Sequence, residues 1–148
     1  MNDPRELEKI EALIQRFFAA FDNRNGQIPR QDLLTELFVE RAIIATHRDG
    51  HCDLYSPSEF AQPRIALLGS GELVEFHEWE ETSFTEIVGE LATRTSRYAK
   101  AGLHLGADYA GSGTKFFQLA KFASGWRIIA LSWIDDPPNQ TLQPRAGG

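Results

Sequence analysis

The stretch from Gly113 to Asp136 constrains this chain more than any other. Two runs, Lys115-Phe116-Phe117-Gln118-Leu119 and Trp126-Arg127-Ile128-Ile129-Ala130-Leu131-Ser132-Trp133, are rich in aromatic and β-branched residues. They flank a Ser124-Gly125 turn, and together they read as a long antiparallel hairpin. Upstream, Glu72 to Glu81 and Phe84 to Lys100 have the same character, so the second half of the chain reads as four strands in sequence. Gly89 marks an expected bulge in the second of them. The connection from Ala101 to Gly113, rich in glycine and alanine, reads as an adaptable loop.

The first half is helical. Asp3-Pro4-Arg5-Glu6 supplies a cap, a proline at the first helical position and an acid three residues past the cap. Leu7, Ile10, Leu13, Ile14, Phe17, Phe18 and Phe21 then form one apolar stripe at helical spacing. A short helix is expected after Pro29, with Leu33, Leu34, Leu37 and Phe38 inward. Ala42 to Thr46 and His51 to Tyr55 read as two short strands around the Arg48-Asp49-Gly50 turn. Ser56-Pro57-Ser58-Glu59 repeats the capping logic and opens a third helix that ends at Gly69.

Helices followed by a meander define an α+β domain over residues 1–136, with a tail over 137–148 too poor in apolar residues to pack. The 148 residues carry a formal net charge of −6, which disfavours a nucleic-acid partner. No run of lysine or arginine suggests a membrane surface, and no apolar run approaches the ~20 residues that span a bilayer. Cys52 is the single cysteine, so neither an intrachain disulfide nor a cysteine-based zinc site is expected. The charged start Met1 to Glu6 has no apolar signal-peptide core, and the expected location is cytoplasmic.

Ser96-Arg97-Tyr98, the Lys115 to Leu119 strand, Gly125-Trp126-Arg127-Ile128 and Trp133-Ile134-Asp135-Asp136 resemble the corresponding parts of the NTF2-like superfamily, including its SnoaL-like and DUF4440-like members. The resemblance covers residues 4–136. It implies a cystatin-like α+β cone, N-terminal helices packed on a strongly curved antiparallel sheet, with one internal pocket and a homodimer formed through the sheet. The superfamily's ketosteroid-isomerase-like enzymes use a tyrosine from the first helix and an acid near the end of the first strand. Here those places read Phe17, Phe18 and Phe21, and Ala45-Thr46, so no catalytic set carries over.

Strand alternation puts Ala92, Arg94, Ser96 and Tyr98 on one face, the pocket side by the resemblance. Arg94 then pairs either with a strand neighbour such as Glu78 or with a ligand acid. His77, near an aromatic cluster, is either a proton-transfer group or a partly buried sheet histidine. His77, Arg94 and Tyr98 are the catalytic candidates, and Phe18, Phe21, Phe60, Trp79, Phe117 and Trp133 the candidate ligand-binding residues. His47, His51, Cys52 and Asp53 surround a turn but match no metal-ligand spacing, and neither a metal nor a cofactor is called for. Two functions follow. One is a pocket protein for a small apolar or aromatic ligand, with cofactor-independent lyase or isomerase chemistry. The other is a non-catalytic dimerisation or protein-binding module that uses the open sheet face and Trp126 or Trp133.

Overall fold

A computed structural model describes residues 2–138, so the expected tail falls outside the described residues from 139 onward. Helix α1 (Pro4–Ala19) buries Ile10, Leu13, Ile14, Phe17 and Phe18, the stripe read from the spacing. Its Asp3 cap accepts from the Arg5 amide at 2.9 Å. Glu6 turns away from the cap and accepts from the Trp126 indole at 2.8 Å, with Lys121 at 3.0 Å. These partners hold the Glu6 carboxyl at a pKa of about 2, below its ordinary 4.5. Because the folded value is the lower one, the contribution is complete above pH about 5 and fades as pH falls toward 2. Urea titrations of the wild type and Glu6→Gln are therefore expected to differ at neutral pH and to converge by pH about 2.

Helix α2 (Gln31–Thr35) is shorter than expected, with Leu34 buried and Leu33 exposed. Leu37 and Phe38 are buried beyond its end, where strand β1 (Phe38–Arg48) begins. Strand β2 (His51–Tyr55) returns across a turn in which Asp49 and Gly50 have φ of 51° and 80°. Helix α3 (Pro57–Gly69) opens on a complete capping box, the Glu59 amide to Ser56 Oγ at 3.1 Å and the Ser56 amide to Glu59 at 2.8 Å.

Strands β3 (Leu73–Val88), β4 (Leu91–His104), β5 (Ala107–Phe122) and β6 (Gly125–Asp135) complete a six-stranded open sheet in the order β2-β1-β6-β5-β4-β3. The expected antiparallel sheet needs correction, because β1 lies parallel to β6 and the sheet is mixed. The helical crossover through α3 lets the chain leave β2 at one edge and re-enter at the opposite edge with β3. Gly89 is not a bulge inside a strand but part of the β3–β4 turn, with φ 61°. The Ala101 to Gly113 loop is also absent: β4 and β5 stay paired through His104 and Ala107, joined by Leu105-Gly106, with φ of 51° and 84°. Composition misled here, since the glycines serve the sheet's inner face.

Bulges set the faces. In β3 the register shifts around Glu75, whose φ is 49°, and again at Glu81. The first bulge puts Leu73 and Phe76 on the same inner face, and Glu78 and Glu80 follow them. In β6 the shift at Ile129 keeps Trp126, Ile128, Leu131 and Trp133 all buried. Neither Trp126 nor Trp133 is on the open face, contrary to the regular-strand count. The core lies between this inner face and the helices. Asn23, after α1, ties it to the sheet edge: its side chain donates to the Leu68 and Leu73 carbonyls at 2.9 and 2.8 Å and accepts from the Phe76 amide at 2.7 Å. Among the described residues, no helix is long and apolar enough to cross a membrane.

Candidate functional site

The inner face narrows to a cavity of about 640 Å³, within the usual range for small-molecule sites. Its apolar wall comes from Phe21 after α1, Phe60, Leu67 and Leu68 of α3, and Leu73 and Phe76 of β3. Trp133 and Tyr109 add aromatic surface, and Pro137 and Pro138 line the far end. The floor is polar. Glu78, Tyr98, Lys100, Lys115 and Asp135 line it from four adjacent strands.

Register explains that convergence. Glu78 stands opposite Lys100, and Tyr98 lies in one row with Gly113 and Asp135. The glycines make the space: a Cβ on Gly113 would overlap the Tyr98 hydroxyl and the Ile134 carbonyl, and one on Gly111 would come within 2.9 Å of the Lys100 stem. Tyr98 and Lys100 therefore lie across the neighbouring strand instead of standing up from the sheet. Gly113→Ala is expected to cost about 2–3 kcal/mol, by the usual cost of overpacking a tight contact. Adding Tyr98→Phe should return only part of that loss in a thermal-melt double-mutant cycle, since the carbonyl clash stays.

The electrostatics are those of a half-dry site. The Tyr98 hydroxyl donates to Asp135. Burial first, and then that hydrogen bond, push its pKa far above the ordinary phenol value, so Tyr98 stays protonated. Lys115 is buried with its ammonium 3.9 Å from the centre of the Tyr98 ring and 3.5 Å from Glu78 Oε1. Burial lowers its pKa; the Glu78 charge opposes the shift and the Lys100 charge adds to it. Burial also works against the Lys100 charge, but Asp135, Tyr109 and Glu78 carry its pKa above the ordinary lysine value. Glu78 Oε1 is buried and accepts no hydrogen bond; at 3.5 Å the Lys115 contact is a charge pair only.

Of the sequence-derived catalytic candidates, Tyr98 alone lines the cavity. Arg94 has the expected inward parity but is taken by the protein: it grips Glu80 through two bonds of 3.0 and 2.6 Å and reaches Thr85 at 2.8 Å. Ser96 also donates to Glu80. The acid partner is Glu80, not Glu78, because Glu78 stands opposite Lys100, one row farther from Arg94 along the sheet. His77 is turned to the outer face by the Glu75 bulge and stacks on Trp79 at 4.5 Å. Phe21, Phe60 and Trp133 line the cavity. Phe18 and Phe117 are core residues, Phe117 packed edge-on against Phe17 at 5.2 Å. Trp79 is 37% exposed on the outer face. His47 pairs with Cys52, and His51 with Arg48, so alternation sends the two imidazoles to opposite faces.

Comparison with known proteins agrees with this geometry. The NTF2-like superfamily protein from Salmonella enterica superposes with a TM-score of 0.70 at 13% identity, covering 93% of this chain and 95% of that one. An NTF2-like protein with a cystatin-like fold from Novosphingobium aromaticivorans gives 0.69 at 17% identity, covering 95% and 90%. The chain has the NTF2-like fold. A cystatin-like-fold protein of unknown function from Nostoc punctiforme gives 0.66 at 14%, covering 92% and 95%. No protein-family model and no curated protein matches the chain in sequence. The cavity residues that sequence reasoning missed include Lys100, Lys115, Asp135, Asp136 and Arg64, together with Glu78 as a cavity group. Lys115 was within reach, since it shares parity with Phe117 and Leu119 in a strand with no internal bulge before Gln118.

Proposed function

We propose that this protein binds a small apolar, aromatic organic molecule in the cavity and that the polar floor supports cofactor-independent proton transfer of the lyase or isomerase type. The observation that carries the reading is Glu78 Oε1, buried without a hydrogen bond at the edge of an aromatic-lined space. A carboxylate so placed can take a proton from a carbon beside a carbonyl. The electron pair moves onto the carbonyl oxygen, where the Lys115 ammonium stabilises the charge. Returning the proton to a different carbon completes an isomerisation; expelling a leaving group from the β-carbon completes an elimination. The experiment is a fluorescence titration with the neutral probe N-phenyl-1-naphthylamine. Saturable one-to-one binding that is lost in Leu67→Trp, which fills the cavity from α3, is expected. Binding unaffected by Leu67→Trp contradicts the reading.

A second reading concerns the outer face and is compatible with the first. Ile43, Phe84, Phe116 and Ile134 are 60%, 69%, 50% and 47% exposed there, with Phe84 and Phe116 in the same cross-strand row through Thr95. Exposed apolar surface of this extent favours a homodimer through the sheet. Light scattering is expected to give twice the chain mass, falling to the chain mass in Phe116→Glu. A wild-type monomer at micromolar concentration would remove this reading.

A further inference from the structure

The cavity lining carries Arg48, Arg64, Lys100 and Lys115 against Asp49, Glu78, Asp135 and Asp136, but these charges do not all meet in pairs. Lys115 faces Glu78 at 3.5 Å, Lys100 faces Asp135 at 3.4 Å, and Asp136 is held by Arg97 at 2.7 Å. Arg64 is left over. It projects from α3 into the cavity, where the Glu78 and Asp135 charges act on it from a distance, but among the described residues no carboxylate is in direct ion-pair contact with it. Its guanidinium donates to the Phe60 carbonyl at 2.9 Å and also interacts with the Tyr55 hydroxyl, which leaves part of its five N–H donors free for a ligand. The group sits over rings instead, 4.4 Å from the Phe60 centroid, 5.1 Å from Trp133 and 5.7 Å from Tyr55.

We propose that Arg64 is the anchor for the carboxylate of an aromatic monocarboxylic acid bound in the cavity. The proposal rests on the pocket reading above and names the class of molecule the pocket takes. A partly buried cation without a counter-ion is costly, and ring faces offset only part of that cost. A ligand carboxylate supplies what is missing, because its two oxygens match the planar fork of a guanidinium. The rings beneath Arg64 hold the fork in one orientation, so little rotamer freedom is lost on binding. Glu78 and Asp135 across the floor select against a second negative charge, which favours a monoanion over a phosphate or a diacid. Phe21, Leu68 and Phe76 offer the apolar wall for the aromatic body.

Calorimetric titration with 1-naphthoate and its neutral analogue 1-naphthalenemethanol separates this proposal from the reading beneath it. The wild type is expected to bind the carboxylate about tenfold or more tighter than the alcohol, as suits a charge-assisted hydrogen bond. Arg64→Met should abolish that preference and still bind the alcohol, which also shows that the cavity is intact; Arg64→Lys should keep part of it. Equal affinities in the wild type, or an undiminished preference in Arg64→Met, overturn the anchor and leave the pocket standing. Binding of neither compound by the wild type overturns both.

Discussion

Arg94→Met is expected to cost about 3–5 kcal/mol of stability, the usual penalty for removing one partner of a buried ion pair, and to leave affinity for the naphthylamine probe unchanged. Arg94 is 4% exposed, and its side chain is committed to Glu80 and Thr85, with Glu11 3.8 Å away. Removing it strands the Glu80 carboxylate, which keeps only the Ser96 hydroxyl. The double variant Arg94→Met/Glu80→Leu should recover much of the loss, since apolar replacement of a whole buried pair is often close to neutral. Urea unfolding of the three variants measures the cycle. A folded Arg94→Met that had lost the probe would return Arg94 to the site and contradict its assignment as a structural cation.

Phe17→Ala is expected to cost about 4 kcal/mol, near the middle of the range for large aromatic truncations in cores. Phe17 is fully buried and meets four other phenylalanines edge-on: Phe18 and Phe21 at 5.3 Å, Phe38 at 6.2 Å and Phe117 at 5.2 Å. It thereby joins α1 to β1 and β5, and neighbours held on three elements relax poorly into the void. Its ring also lies 5.8 Å from the Lys115 ammonium, so the loss loosens the wall behind the cavity floor. The melt of Phe17→Ala should fall by roughly 10 °C, on the usual conversion of about 2–4 °C per kcal/mol for a domain of this size. A drop of only a degree or two would mean that α1 is not the keystone of the core.

The parts of this fold that could be read from sequence are those where local rules run undisturbed. The α1 stripe and the Ser56 capping box obey plain local rules, the closing hairpin follows its Ser124-Gly125 turn signal, and all three form. Strand β4 has no bulge in its pairing with β5, so the inward parity of Arg94, Ser96 and Tyr98 could be counted. Parity failed wherever a single extra residue intervened. Glu75 reversed the faces of His77 and Phe76, and Ile129 brought Trp126 and Trp133 to the same side. A bulge leaves almost no mark in composition, and Glu75 with its positive φ is not the glycine that would advertise one. Gly111 and Gly113 carried the opposite lesson. They look like loop residues, yet they hold the sheet open beneath Tyr98 and Lys100. The polar floor stayed hidden because its members come from four strands whose register is set by those same bulges and glycines.

The inner cavity is the proposed binding site. Titrating methyl-labelled protein with 2-naphthol, followed by carbon–proton NMR, tests it most directly. Saturable shifts confined to Leu67, Leu68 and Leu73, which line the cavity, are the predicted result. Shifts at Ile43 and Leu54, which are exposed on β1 and β2, with the cavity methyls unmoved would contradict it and place binding on the outer surface.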